Sequence, residues 1–206
     1  MKKPPSASVS SLEAKTPHKS PHEESVEVYS NCDQVELFLN GKSFGAPSRP
    51  AKAVPRVWQA AFSPGLLRAV GKNEGREAIG SVLQTAGKPA RLVLTTDRSR
   101  LAPDWEEVAF VALQITDANG VIVPSAQDKS TFRVTGPGVL AAVDNGDLTS
   151  HEPFQANERH VFQGECLAIL RAVGPTGQIT LTASTDGLPP VTVSLEATHG
   201  ATGQQP

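Results

Sequence analysis

The chain has 206 residues, 38% of them hydrophobic and 19% charged, enough to bury the cores of one large or two ordinary domains. Lysine and arginine number 19 against 21 aspartates and glutamates, so no basic excess exists to track nucleic-acid phosphates or anionic lipid, and neither a nucleic-acid nor a membrane partner is expected. An aromatic content of 5%, with 17 glycines and 17 prolines, suits many short strands joined by turns, and no apolar stretch is long enough to span a bilayer.

Residues 1–25 are mainly Ser, Pro, Lys, His and Glu, with Leu12 almost the only large apolar side chain, so a disordered tail is predicted there. Pro4, Pro5, Ser6 and Ser8 stand where a secretion signal would need its apolar run; nothing in this chain sets a compartment. From Val26 the period becomes two. Val26 and Val28 open a strand, and Val35, Leu37 and Leu39 alternate with Glu36, Phe38 and Asn40 up to the hairpin pair Asn40-Gly41. Trp58, Ala60 and Phe62 form another alternating set, Leu67 and Ala69 follow the Pro64-Gly65 turn, and Ile79 to Thr85 closes a first unit over 26–86.

A second unit is predicted over 89–197. Its strands are marked by Leu92 and Leu94; Val111, Leu113 and Ile115; Phe132 and Val134; Val139 to Val143; Leu167 and Ile169; Ile179, Leu181 and Ala183; and Val191, Val193 and Leu195. Asn119-Gly120, Gly136-Pro137-Gly138 and Asn145-Gly146 punctuate them. The spacing is that of an immunoglobulin-like sandwich, so the fold class expected is all-β: two consecutive immunoglobulin-like antiparallel β-sandwiches with disordered termini, the second tail being 198–206. Cys32 and Cys166 lie in apolar alternating stretches and are expected to be buried thiols rather than a disulfide or zinc site.

The run from Val26 to Gly45, with the sequence VEVYSNCDQVELFLNGKSFG, resembles the start of the domain that follows the catalytic barrel in bacterial family 2 glycoside hydrolases of the β-galactosidase type. Trp58, Phe62-Ser63-Pro64-Gly65 and Thr85-Ala86-Gly87 extend the likeness. Asp117-Ala118-Asn119-Gly120, Gly136-Pro137-Gly138, Val143-Asp144-Asn145-Gly146-Asp147, Glu152, Phe154, Arg159 and Phe162 to Gly164 are similar to the last domain of the same enzymes. One departure is Pro103-Asp104-Trp105-Glu106-Glu107, where the family has a glycine-containing acidic turn. Because the resemblance starts at Val26, one strand late, the first sandwich is expected to lack its first strand and expose an unpaired edge.

The resemblance implies a glycosidase parent, but the chemistry does not follow. Glycoside hydrolysis requires two carboxyl groups on a rigid frame, and the family's (β/α)₈ barrel takes about 250 residues of alternating strand and helix. The Asn-Glu pair of the second unit, Asn157-Glu158, sits in a polar loop, so no catalytic residue is assigned. Asp144, Asp147 and Glu152 are the candidate ligands for a calcium ion, the competing reading being an Asx turn around Asn145-Gly146. Trp105, set among acidic residues, is the candidate carbohydrate-stacking ring, whereas Trp58 alternates with Ala60 and Phe62 as a core residue does. No cofactor is expected beyond that calcium alternative. The function expected is a non-catalytic accessory region partnered by a glycosidase barrel in cis or in trans, either a severed enzyme C-terminus or an independent pair of domains. The alternative is a free-standing carbohydrate-binding or adhesive module.

Overall fold

The computed structural model describes residues 7–11, 23–50, 54–103, 107–174 and 176–198. These residues form strands, turns and loops and no helix, in two compact units, Met1–Thr85 and Ala86–Pro206.

In the first unit one sheet has the order β1 (Ala7–Ser11), β2 (Glu23–Ser30), β5 (Arg56–Ala61), and the other the order β4 (Lys42–Ser43), β3 (Gln34–Leu39), β6 (Leu66–Asn73), β7 (Arg76–Gln84). Alternation places Val26 and Val28 of β2, Val35 and Leu37 of β3, Trp58 and Ala60 of β5, and Ala69 of β6 in one core. Each fully buried Val or Leu contributes about 1.5–3 kcal/mol. Trp58 is 6% exposed and its Nε1 donates to the Gly45 carbonyl at 3.2 Å, which satisfies its polar end. Asn40 and Gly41 have φ of 50° and 81°, the double left-handed geometry of a tight hairpin, and Glu74-Gly75 turns β6 into β7 in the same way.

Two expectations are corrected here. The first tail is not wholly without structure: Ala7–Ser11 pairs antiparallel with β2 (Ala7 opposite Ser30, Ser11 opposite Val26), and β2 begins at Glu23. The edge of β2 expected to stand unpaired is therefore covered. A short Ser-rich segment lacks the apolar pattern that marks a core strand, yet its backbone N–H and C=O groups complete a ladder as well as any others do. The remainder of both predicted tails, 1–6, 12–22 and 199–206, lies outside the described residues; Thr198 is described and donates its N–H to the Leu101 carbonyl at 2.9 Å.

In the second unit a four-stranded sheet runs β12 (Gly138–Asp144), β14 (Glu165–Ala172), β10 (Ala109–Thr116), β8 (Arg91–Thr96). A five-stranded sheet runs β13 (Glu158–His160), β11 (Lys129–Thr135), β15 (Gly177–Thr185), β16 (Leu188–Ala197), β9 (Arg100–Leu101). Their inner faces meet in a core that includes Val111, Leu113, Ile115, Phe132, Val143, Leu170, Ile179, Leu181 and Leu195. All pairings are antiparallel except that of β16 with β9, which is parallel. In β14 the buried positions are Cys166, Ala168, Leu170 and Ala172, while Leu167 and Ile169, which mark the strand in the sequence, are half-buried on its other face. This strand is apolar on both faces, so period two alone does not choose between them. Cys32 and Cys166 are both buried and free.

Candidate functional site

A network of side-chain hydrogen bonds and ion pairs fills the loop between β12 and β13 in the second unit. β13 pairs with β11 so that Ser130 opposes Arg159, and the period of two turns Glu158 and His160 outward and Arg159 inward, where it is 1% exposed. A buried guanidinium requires partners for its donors. Arg159 Nη1 donates to the Glu152 carbonyl at 2.9 Å, and Nη2 donates to Asp144 Oδ1 at 3.3 Å and Asn145 Oδ1 at 3.2 Å. Its Nε faces Glu152 Oε2 at 3.7 Å, an ion pair too long for a hydrogen bond. The guanidinium carbon also lies 5.2 Å from the centroid of the Phe154 ring, within cation–π range.

Around this cation the loop folds on its own side chains. Asp144 Oδ1 accepts the amides of Asn145 at 2.7 Å and Gly146 at 3.3 Å, and Gly146 has φ of 73°. Asn145 Oδ1 accepts the Asp147 amide at 3.0 Å, while its Nδ2 donates to the His160 carbonyl at 2.9 Å. Asp147 Oδ1 accepts both the amide and the hydroxyl of Thr149. Glu152 Oε1 lies 2.7 Å from His160 Nδ1. Partial burial raises the Glu152 pKa, but the hydrogen bonds from His160 and the charge of Arg159 outweigh it and hold the carboxyl below the usual range.

The carboxylates predicted as calcium ligands are thus directed elsewhere. Asp144 and Glu152 face the Arg159 guanidinium, Asp147 closes an Asx turn on Thr149, and no set of three or more Asp, Glu, His or Cys among the described residues is placed to hold a metal ion. A buried arginine supplies the positive charge that the acidic cluster would otherwise seek. Asn157-Glu158 does not form an acid/base pair. Glu158 pairs with Lys129 at 2.8 Å, and the Asn157 carbonyl accepts the Phe132 amide at 2.7 Å. Trp105, the candidate stacking residue, lies outside the described residues with Asp104 and Glu106. Glu107 beside it accepts the Ala102 amide at 2.8 Å and lines an open groove with Asp97, Arg98 and Arg100.

Arg159 and Phe154 are the residues whose roles the sequence did not disclose. Arg159 is flanked by polar neighbours, so period two carries no inward signal there, and only the pairing of β13 with β11 turns it into the core.

The profile of "Glycoside hydrolase family 2 C-terminal domain 5" matches residues 92–194, half of the chain, and a profile described as a domain of unknown function matches 23–79. The chain is 36% identical over 169 residues to a β-galactosidase of Bacteroides ovatus, an alignment covering 82% of this chain and 20% of that enzyme. It is 29% identical over 175 residues to a β-glucuronidase of Formosa agariphila, covering 82% of this chain and 17% of the relative. Among solved structures, a glycosyl hydrolase family 2 member from Bacteroides cellulosilyticus matches 95% of this chain and 29% of its own length with a TM-score of 0.91 at 27% identity. A β-glycosidase from Bacteroides vulgatus matches 95% of this chain and 25% of its own length with a TM-score of 0.86 at 30% identity. The chain therefore spans a fifth or less of the length of these curated relatives.

Proposed function

Because the chain belongs to glycoside hydrolase family 2, as part of that family's C-terminal region, we propose that it is a non-catalytic accessory region that supports a glycosidase barrel through domain packing or completion of the substrate cleft. The observation that carries this reading is coverage: two β-sandwich units match family 2 relatives over most of this chain and over a fifth or less of the curated enzymes themselves. Site chemistry agrees with it. Hydrolysis needs one carboxyl group to donate a proton and a second to attack or activate water, about 5–5.5 Å from it in retaining enzymes and wider in inverting ones. In the loop between β12 and β13, Asp144 instead faces Arg159, Glu158 pairs with Lys129, and Glu152 faces Arg159 and hydrogen-bonds the His160 ring. These pairs fix a loop and leave no carboxyl group poised for proton transfer.

A chimera tests the proposal, with this chain replacing the matching region of the Bacteroides ovatus β-galactosidase. The chimera is expected to hydrolyse p-nitrophenyl β-galactoside within about tenfold of the parent, while the pure chain turns over none. A soluble chimera no more active than the parent with that region deleted would sink the supporting role. Turnover by the pure chain that disappears in Glu158→Gln would sink the non-catalytic one.

A further inference from the structure

The loop of Asn145 to Asn157 presents the two most exposed large apolar side chains among the described residues, Leu148 at full exposure and Phe154 at 58%. A flexible loop would fold such a ring down; this one is tied. The Phe154 carbonyl accepts the Val143 amide of β12 at 2.8 Å, Ser150 N–H bonds to the Asp147 carbonyl at 3.1 Å, and the Asx turns at Asp144 and Asp147 hold the segment between. Beneath the ring lies the guanidinium of Arg159, 1% exposed and fixed by three hydrogen bonds. Phe154 is thus an aromatic surface backed by an immobile cation and open to water over more than half its area, so ordering it costs little when something binds.

A held, flat, apolar ring fits the C–H face of a pyranose. The hydroxyls at the sugar's edge would meet exposed polar side chains of the same loop, such as those of His151 and Gln155. The charge of the rim selects among sugars. Asp144, Asp147, Glu152 and Glu158 lie in or next to the loop, four carboxylates against two cations, Arg159, which is buried, and Lys129, which is paired with Glu158. That excess of carboxylate repels a uronate and accepts hydrogen bonds from a neutral hexose.

We propose that Phe154 is the platform of a carbohydrate subsite on the second unit that takes a neutral β-linked hexose, galactosyl in preference to glucuronosyl. The accessory reading supplies only the class of sugar; the site itself stands on the ring, its backing and its rim. A docking surface for another protein is the competing use of the same loop, and the hydrogen-bonding rim around a single open ring favours the sugar.

The test is titration of the ¹⁵N-labelled full chain with lactose and, separately, with methyl β-glucuronide, following backbone amide shifts. Lactose is expected to give saturable shifts within 145–157 at a Kd on the order of 1 mM, with the glucuronide at least about tenfold weaker. Phe154→Ala should weaken lactose binding about tenfold or more with the rest of the spectrum unchanged, and Phe154→Trp should retain it. The proposal is overturned by any of four results: no shifts with lactose, shifts that map to the Asp97–Ala102 groove instead, lactose binding by Phe154→Ala equal to that of the parent, or a glucuronide bound as tightly as lactose. Loop shifts seen only when the relative's catalytic portion is added would assign the surface to protein docking and equally overturn it. Failure here leaves the accessory reading standing, since the chimera reads catalytic support and not sugar contact. A failed chimera with intact lactose binding would remove the accessory reading alone.

Discussion

Asn40 closes over Gly65: its Nδ2 donates to the Pro64 carbonyl at 3.0 Å, its Oδ1 accepts the Leu66 amide at 2.8 Å, and a β-carbon on residue 65 would overlap its amide group. One side chain at the β3–β4 hairpin thereby sets the turn that feeds β6, and Gly65, with φ of 141°, is the residue that permits the approach.

Gly65→Ala should accordingly destabilise the first unit by about 2–4 kcal/mol through the clash and the unfavourable φ, and Asn40→Ala by about 1–2 kcal/mol through two lost hydrogen bonds. Urea unfolding followed by Trp58 fluorescence in a Trp105→Phe background reads both. A Gly65→Ala midpoint equal to the parent's would contradict this account of the turn.

Arg159→Met should cost the second unit about 2–4 kcal/mol, because it strands Asp144 and Glu152 without their cation. The figure stays below that for a fully buried pair since the Asp144 side chain is 44% exposed. Arg159→Lys should recover little of the loss, as one ammonium does not reproduce the fork that reaches Asp144, Asn145 and the Glu152 carbonyl together. Hydrogen exchange should quicken at Gly146 and Asp147 in both variants; unchanged protection there would show that the loop does not depend on the arginine.

Asp117 gives the second unit an acid-sensitive anchor. It is 2% exposed, and its carboxylate accepts the amides of Gly87 at 2.8 Å, Val121 at 2.9 Å and Asn119 at 2.8 Å, which hold its pKa below the ordinary aspartate range against the opposing effect of burial. A depressed folded-state pKa adds stability that is fully present above the unfolded value, near pH 4, and is lost as pH falls through the folded value. Asp117→Asn should therefore melt well below the parent at pH 7, and the gap should narrow as the pH drops from about 4 to 2. A gap constant across that range would remove the carboxylate from the explanation.

The Cys166 thiol should be inert in the native chain. Burial pushes its pKa up to about 12, so almost no thiolate exists at pH 8, and the surrounding core blocks access. Iodoacetamide at that pH should label Cys166 only after denaturant is added, as read by mass spectrometry. Rapid native labelling would mean that β14 opens far more often than its buried positions imply.

The Asn40-Gly41 hairpin, the alternation of Trp58 with Ala60 and the inward set Val111, Leu113 and Ile115 were legible because each is a local signal: two residues that tolerate positive φ, or apolar side chains at period two against polar ones. Leu167 and Ile169 marked β14 without fixing its inner face; the structure buries Cys166, Ala168 and Leu170, because β14 is apolar on both faces and its phase is chosen by its partners β10 and β12. β1 escaped detection because an edge strand joins a sheet through backbone hydrogen bonds, which leave no trace in side-chain pattern.

What the sequence by itself determined is the all-β architecture and the family resemblance, which are carried by local period, turn chemistry and contiguous motifs. What only the tertiary structure decided is the fate of the acidic loop. In the sequence Asp144, Asp147 and Glu152 are open to two readings, an Asx turn and a calcium site, and the direction of the Arg159 side chain is not marked. Pairing β13 with β11 turns that arginine into the core, and a buried cation draws the nearest carboxylates to itself because an uncompensated charge in a low-dielectric interior is far costlier than a paired one.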